Sequence, residues 1–345
     1  MIGVLLLAGC AGVGPPTIAR DRFDYVSAIS ESWKRQMLLN LLKVRYIDAP
    51  VFMDVAAVIN SYSLEGEVSL SGQYAPIGRG DAFGNVGATG RYADKPTITY
   101  QPLTGDKFAR SMMAPIPVTG ILFLLQSGYP ADLVLRICVN AINGIENAYG
   151  GSGNPRPGSP RFRELMTAMQ ESQAEGGMGF RVKVTKDKQV VVMFIRPPTD
   201  QAAASSHKVR VLLGLNPDAR EFSVESGSVA EDDREIAMLT RSILQVMTDL
   251  ASTIEVPAAD IAAGAVFSPQ RSAEQERMFP ALLNVRHGES PPDNAYVAIP
   301  YRNRWFWIDD RDQRSKQILS FLMLMFSLTE GAPSQSAPVV TIPAR

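Results

Sequence analysis

FRVKVTKDKQVVVMFIRPP, residues 180–198, carries two strands and the turn between them, and its reading decides the fold. Phe180, Val182 and Val184 alternate with Arg181 and Lys183, the period of a strand with one apolar face. Lys186, Asp187 and Lys188 supply a polar turn, and the apolar run Val190 to Ile195 supplies the return strand. One hairpin buries too little to stand alone, so its apolar face needs a covering layer. Residues 160–173 read as a helix before it, and HKVRVLLGL (207–215) and REFSVES (220–226) read as strands that extend the sheet. A helix over 231–253 follows, with Ile236, Leu239, Ile243, Val246, Met247 and Leu250 on one stripe. NAYVAIPYRNRWFWIDD (294–310) is a hairpin turning at Arg302-Asn303. The helix DRDQRSKQILSFLMLMFSL (310–328) is apolar nearly all round from Ile318, as buried helices are, and APVVTIPAR (337–345) reads as an edge strand.

Towards the N-terminus the next landmark is YGGSGNPRPGSP (149–160), a Gly/Pro-rich connector and the expected domain boundary. Residues 105–147 read as helices opened by Thr104, Pro117 and Pro130, the last taking in Cys138. Residues 59–100 read as a long hairpin: Tyr62, Leu64, Val68, Leu70 and Tyr74 share one parity, with Ser63, Glu65, Glu67 and Ser69 on the other. Tyr25, Ile29, Trp33, Met37, Leu41 and Val44 mark an amphipathic helix that stops before Pro50. Strand runs and helix runs are segregated, which predicts a layered α+β fold of antiparallel hairpins with an N-terminal part at 21–148 and a C-terminal part at 161–345.

With 345 residues, 46% of them hydrophobic and 20% charged, the chain has material for a sizeable core. Its 34 basic and 35 acidic side chains leave no electrostatic footprint for nucleic acid, and that partner class is set aside. Chemistry-bearing patterns are sparse. His207 and His287 lack the spacing of a zinc site and read as exposed, and the glycines of 78–90 lack the G-K-[ST] of a phosphate loop. Gly150, Gly151, Ser152 and Gly153 do not form G-x-S-x-G. Asp309, Asp310 and Asp312 would suit a hard cation, but helix capping accounts for them with local partners. Cys138 reads as a buried, inert thiol. No cofactor, metal or catalytic residue is expected. Trp305 and Trp307, with Tyr62 and Tyr74, are the candidate partner surface.

LLLAGC, residues 5–10, places Cys10 behind Leu7, Ala8 and Gly9 at the end of an apolar run. This resembles the lipobox of bacterial lipoproteins, and PTITYQPLTGDKF and WFWIDDRD resemble segments of uncharacterised proteobacterial envelope lipoproteins. The resemblance implies a truncated signal peptide at 1–9, cleavage before Cys10, acylation of its sulfur and new amino terminus, and a lipidated linker at 10–20. Ala11 after the cysteine, where aspartate would retain the protein at the inner membrane, implies an outer-membrane anchor facing the periplasm. The expected function is a non-enzymatic, lipid-anchored scaffold or assembly partner that binds an envelope protein or its own copies. Two alternatives are an oligomeric pore or secretion-channel component using hairpin 59–100, and an envelope hydrolase using a carboxylate pair that spacing does not reveal, for which Asp309, Asp310 and Asp312 are the only nominated residues.

Overall fold

In the computed structural model the described residues are 15–59, 62–72, 84–94, 97–151, 155–185, 188–196, 203–266 and 272–329. Apolar residues recurring every three to four positions form helix α1 (Pro15–Arg45), which buries Met37, Leu38, Leu41 and Leu42. It closes in a Schellman turn, with Ile47 N–H donating to Val44 C=O and Asp48 N–H to Lys43 C=O at 2.7 Å. That geometry puts Ile47 at φ +63°, the left-handed region normally left to glycine. The chain divides into two compact units, Met1–Glu31 with Phe52–Leu103, and Ser32–Val51 with Thr104–Arg345.

The smaller unit holds strands β1 (Met53–Ile59), β2 (Tyr62–Gly72), β3 (Gly84–Asp94) and β4 (Thr97–Pro102). β1 pairs with β4 and β2 with β3, all antiparallel, and among the described residues none of the four pairs with any other strand. Ile59 stands opposite Thr97 and Tyr62 opposite Asp94, three residues on in each strand, so both pairs keep one register. Among the described residues they are two two-stranded pairs that share one register. A bulge between Val55 and Ala57 shifts the register only within the β1–β4 pair. The register sets Leu64 opposite Tyr92, Val68 opposite Ala88 and Leu70 opposite Val86 in one row. Glu65 opposite Arg91, Glu67 opposite Thr89 and Ser71 opposite Asn85 form the other row. Every residue of β4 is exposed, Ile98 and Tyr100 included.

The larger unit begins with α2 (Gly105–Phe108), which continues as a π-helical turn, Ala109–Met113, and then α3 (Val118–Gln126) and α4 (Ala131–Cys138). Strands β5 (Val139–Ile142) and β6 (Ile145–Glu146), helix α5 (Pro160–Ala174), the hairpin β7 (Met178–Thr185) and β8 (Lys188–Ile195), and helix α6 (Ala203–Leu213) follow. Next come β9 (Glu221–Ser226), β10 (Glu235–Thr240), α7 (Ile243–Ser252) and the short helices α8 (Ala258–Ala262) and α9 (Ala273–Met278). Strands β11 (Arg286–Gly288), β12 (Ala295–Tyr301) and β13 (Arg304–Asp309) and the helix α10 (Gln313–Thr329) complete the described part.

One sheet has the order β6-β5-β10-β9-β8-β7, antiparallel except for β9 beside β10, and α3 and α5 pack on β7. A second has the order β11-β13-β12. This is an α+β fold, as the segregated pattern predicts, and the hairpin of the opening stretch is its edge. The core is apolar: Phe162, Phe222, Phe306, Ile318 and Leu319 are wholly enclosed, and Trp33 on α1 meets Phe326 on α10 edge to face at 6.4 Å.

Four expectations need correction. The helix expected through 147 ends at Cys138, because Asn143-Gly144 (φ +44° and +73°) makes a tight primed turn that pairs β5 with β6. The helix expected over 231–253 is strand β10 followed by α7; Ser242 and Gln245 form a capping box, each side chain bonded to the other's backbone N–H. HKVRVLLGL belongs mostly to a helix, since the buried residues Ser205, Ser206, Val209 and Leu213 recur at helical spacing and Ser206 hydroxyl-bonds Ser172 of α5 at 2.8 Å. Finally, the Gly/Pro segment 149–160 lies inside the larger unit, where Tyr149 and Arg156 exchange backbone hydrogen bonds of 2.9 and 2.8 Å; the division between the units falls at 31, 51 and 103 instead. The edge strand expected at 337–345 lies outside the described residues.

Candidate functional site

The most heavily buried charge in the larger unit lies at the end of β10. Arg241, with no exposed surface, follows that strand directly, and its N–H donates to the Cys138 carbonyl at 2.7 Å where α4 gives way to β5. Its guanidinium donates to Asp249 Oδ2 at 2.8 Å, to Asn140 Oδ1 at 3.0 Å and to the carbonyls of Ile137 and Ala148. Asp249 sits two turns into α7, 5% exposed, and Arg136 of α4 approaches the same oxygen at 3.7 Å. Its Oδ1 accepts the Gly150 N–H at 2.6 Å. Burial pushes the Asp249 carboxyl up, but Arg241, Arg136 and the hydrogen bonds outweigh it and hold the group below the ordinary carboxylate range.

Beside this triad lies a cleft of about 140 Å³, lined chiefly by Tyr149, Gly150, Arg156, Gly158, Gln275 and Phe279. Arg241 stacks over Tyr149 at 5.4 Å and Arg136 over Phe279 at 5.0 Å. The glycines are dictated by space: a Cβ on Gly158 would lie 2.3 Å from the Phe279 ring and 2.8 Å from the Ala148 nitrogen. Burial first, and Asp249 next, raise the Tyr149 phenol pKa. The carboxylate is thus fully ionised and engaged on both oxygens, and the phenol stays protonated. This chemistry ties Ala148, Tyr149 and Gly150 to α7 and the end of β10.

The expected site residues fall in separate places. Trp305 and Trp307 share one half-buried face of β13, opposite the enclosed Phe306 and Ile308, and the Trp307 ring lies against Gly288. Asp312 caps α10, accepting the Ser315 N–H at 3.0 Å, and burial is again outweighed by that bond and those from Asn284 and the Ser315 hydroxyl, so its pKa falls. Asp310 pairs with Lys316 at 2.6 Å, while Asp309 accepts the Arg311 N–H and faces Arg286. Among the described residues no group of three metal-ligating side chains converges. His207 is exposed, but on a helix, whereas His287 is half-buried on β11 and packs at 6.0 Å from Phe306. Cys138 is enclosed, and burial pushes its thiol up to about 12. Tyr62 stands in β2; Tyr74 and Cys10 lie outside the described residues. No helix among the described residues is long and apolar enough to cross a membrane.

The Arg136–Asp249–Arg241 triad was not anticipated. Its only trace in the sequence is that Arg136 and Asp249 interrupt the apolar runs LVLRICV and LQVMTDLA. No family profile matches the chain, nor does any curated protein or solved structure.

Proposed function

We propose that the protein is a lipid-anchored envelope protein, tethered at the outer membrane through acylated Cys10 and facing the periplasm, that serves as a non-enzymatic scaffold or assembly partner. The observation that carries this reading is the two strand pairs of β1 to β4. An isolated two-stranded pair is marginal in water, and these combine an apolar row in the β2–β3 register with a fully exposed β4. Ile98 and Tyr100, 41% and 54% exposed, are surface that association would cover. LLLAGC supplies the anchor, and two or three acyl chains hold durably where one does not.

The test compares wild type with Cys10→Ser in a Gram-negative host fed alkyne-labelled palmitate. Label on the wild type alone, in the outer-membrane fraction, and a detergent-extracted particle larger than the 37.5 kDa chain are the expected results. A wild type without label, or a labelled protein that is strictly monomeric on extraction, overturns the reading.

A further inference from the structure

The edges and length of the β2–β3 ribbon say more than that it is sticky. β2 and β3 run antiparallel in an unbroken register from Tyr62 opposite Asp94 to Gly72 opposite Gly84, and each keeps an outer edge that pairs with nothing among the described residues. Because the two edges run in opposite directions, β3 of one copy laid against β2 of the next continues an all-antiparallel sheet. Repetition of that contact by rotation closes a ring without free edges. Eleven residues in each strand, at about 3.3 Å per residue, make about 36 Å, and a barrel-like tilt of about 40° projects this onto about 28 Å. The apolar band of an outer-membrane barrel is about 25 Å tall.

The two rows also divide as a barrel wall requires. One row holds Tyr62, Leu64, Val68, Leu70, Val86, Ala88 and Tyr92 with four glycines, and its one charge, Asp94, stands at the end opposite Tyr62; the other row is largely polar. In the polar row Arg91 stands opposite Glu65 and Glu67 opposite Thr89, so the row carries two acidic residues and one basic residue per copy. We infer that copies of this chain donate their β2–β3 ribbons to a membrane-spanning barrel, with the apolar row against lipid and the Glu67 row facing a water-filled lumen that favours cations. The inference rests on the lipid-anchored assembly reading, with a second copy as partner and lipid hydrocarbon as the environment of the apolar row.

The full-length acylated protein is reconstituted in vesicles of phosphatidylethanolamine and phosphatidylglycerol, with one environment-sensitive thiol probe at Val68→Cys or Glu67→Cys. Cys138 is enclosed, its thiol pushed up to about 12, and does not compete for label. The Val68 probe should be blue-shifted and quenched by acyl-chain-brominated lipid; the Glu67 probe should respond to aqueous iodide instead. The pair Leu70→Cys and Ser69→Cys repeats the test should the first pair fail to fold. In planar bilayers the wild type should pass cations in preference to anions, and Glu67→Gln should bring the permeability ratio towards one. Equal iodide quenching at both positions in a particle that is still large overturns the barrel and leaves the assembly reading standing. Monomeric particles overturn both.

Discussion

Asp249→Asn separates the charge of the buried triad from its shape. The variant keeps the volume and an oxygen for the Gly150 N–H, but it leaves Arg241, with no exposed surface, and Arg136 without the carboxylate between them. Removing one partner of a buried pair costs about 3–5 kcal/mol, because the remaining charge stays desolvated. Total stability is only about 5–15 kcal/mol, so this is a large fraction of it. With a urea dependence near 3 kcal/mol per M, the unfolding midpoint should fall by about 1–2 M. Trp33, Trp305 and Trp307 all belong to the larger unit, so their fluorescence follows the unit that holds the triad. The folded-state pKa of Asp249 is depressed, so its contribution is present above the ordinary carboxylate pKa of about 4 and is lost as pH falls through the lower folded value. The gap between wild type and variant should therefore narrow below about pH 4. Asp106→Asn is the control, since its pair with Arg110 is 3.8 Å apart with side chains 95% and 80% exposed, and its midpoint should not move. A loss under about 1 kcal/mol for Asp249→Asn at neutral pH would refute the ionic account of the site.

Other perturbations test the local geometry. Ser242→Ala removes the side-chain acceptor of the α7 capping box and should lower stability by about 1 kcal/mol in the same urea titration. Ile47→Gly relieves a left-handed, 68% exposed β-branched residue at the end of α1; it should raise stability by roughly 0.5–1 kcal/mol, and a loss would contradict the Schellman assignment. Gly158→Ala sets a methyl group against the Phe279 ring and the Ala148 backbone, which should cost about 1–3 kcal/mol of thermal stability. Cys138 should resist maleimide in the native protein and react fully in urea, read by mass spectrometry; rapid native labelling would refute its burial.

Elements were legible where one period persisted over many residues. α5, α10, the second half of α1 and the hairpin at 294–310 bury residues on the faces their patterns mark, and β7 and β8 pair as the pattern at 180–198 predicts. The misread elements are those in which a few residues of turn or cap chemistry overrule a longer apolar run. Asn143-Gly144, flanked by Ile142 and Ile145, carries the hairpin signal that converts the end of an apparent helix into β5 and β6. Ser242 and Gln245 mark the start of a helix inside what reads as one segment, and the residues before them pair as β10. HKVRVLLGL alternates by chance, since within α6 its buried residues Val209 and Leu213 lie one helical turn apart, and Leu215, also buried, follows the helix. The triad was illegible for a different reason. Arg136, Asp249 and Arg241 come from α4, α7 and the end of β10, and no local rule relates them until the sheet order brings Cys138 beside Arg241.

The ribbon shows the opposite limit, a pattern plain in sequence whose use is not. Period two over 62–72 is the same for a strand laid on helices and for a strand facing lipid, because each needs one apolar row. What separates the two is the edge. In the larger unit β8 lies between β7 and β9, and Val191, Val192 and Met193 are buried; those strands spend their pairing capacity inside the fold. β2 and β3 have only each other among the described residues, so half of their backbone donors and acceptors remain for water or another chain. A Lys or a Pro on such an edge would blunt it, yet β2 and β3 contain neither, and the one basic residue there, Arg91, stands opposite Glu65. An open edge without those guards, in both strands and over the same eleven residues, is what a surface meant to be paired requires. The same edge on a monomer would invite aggregation.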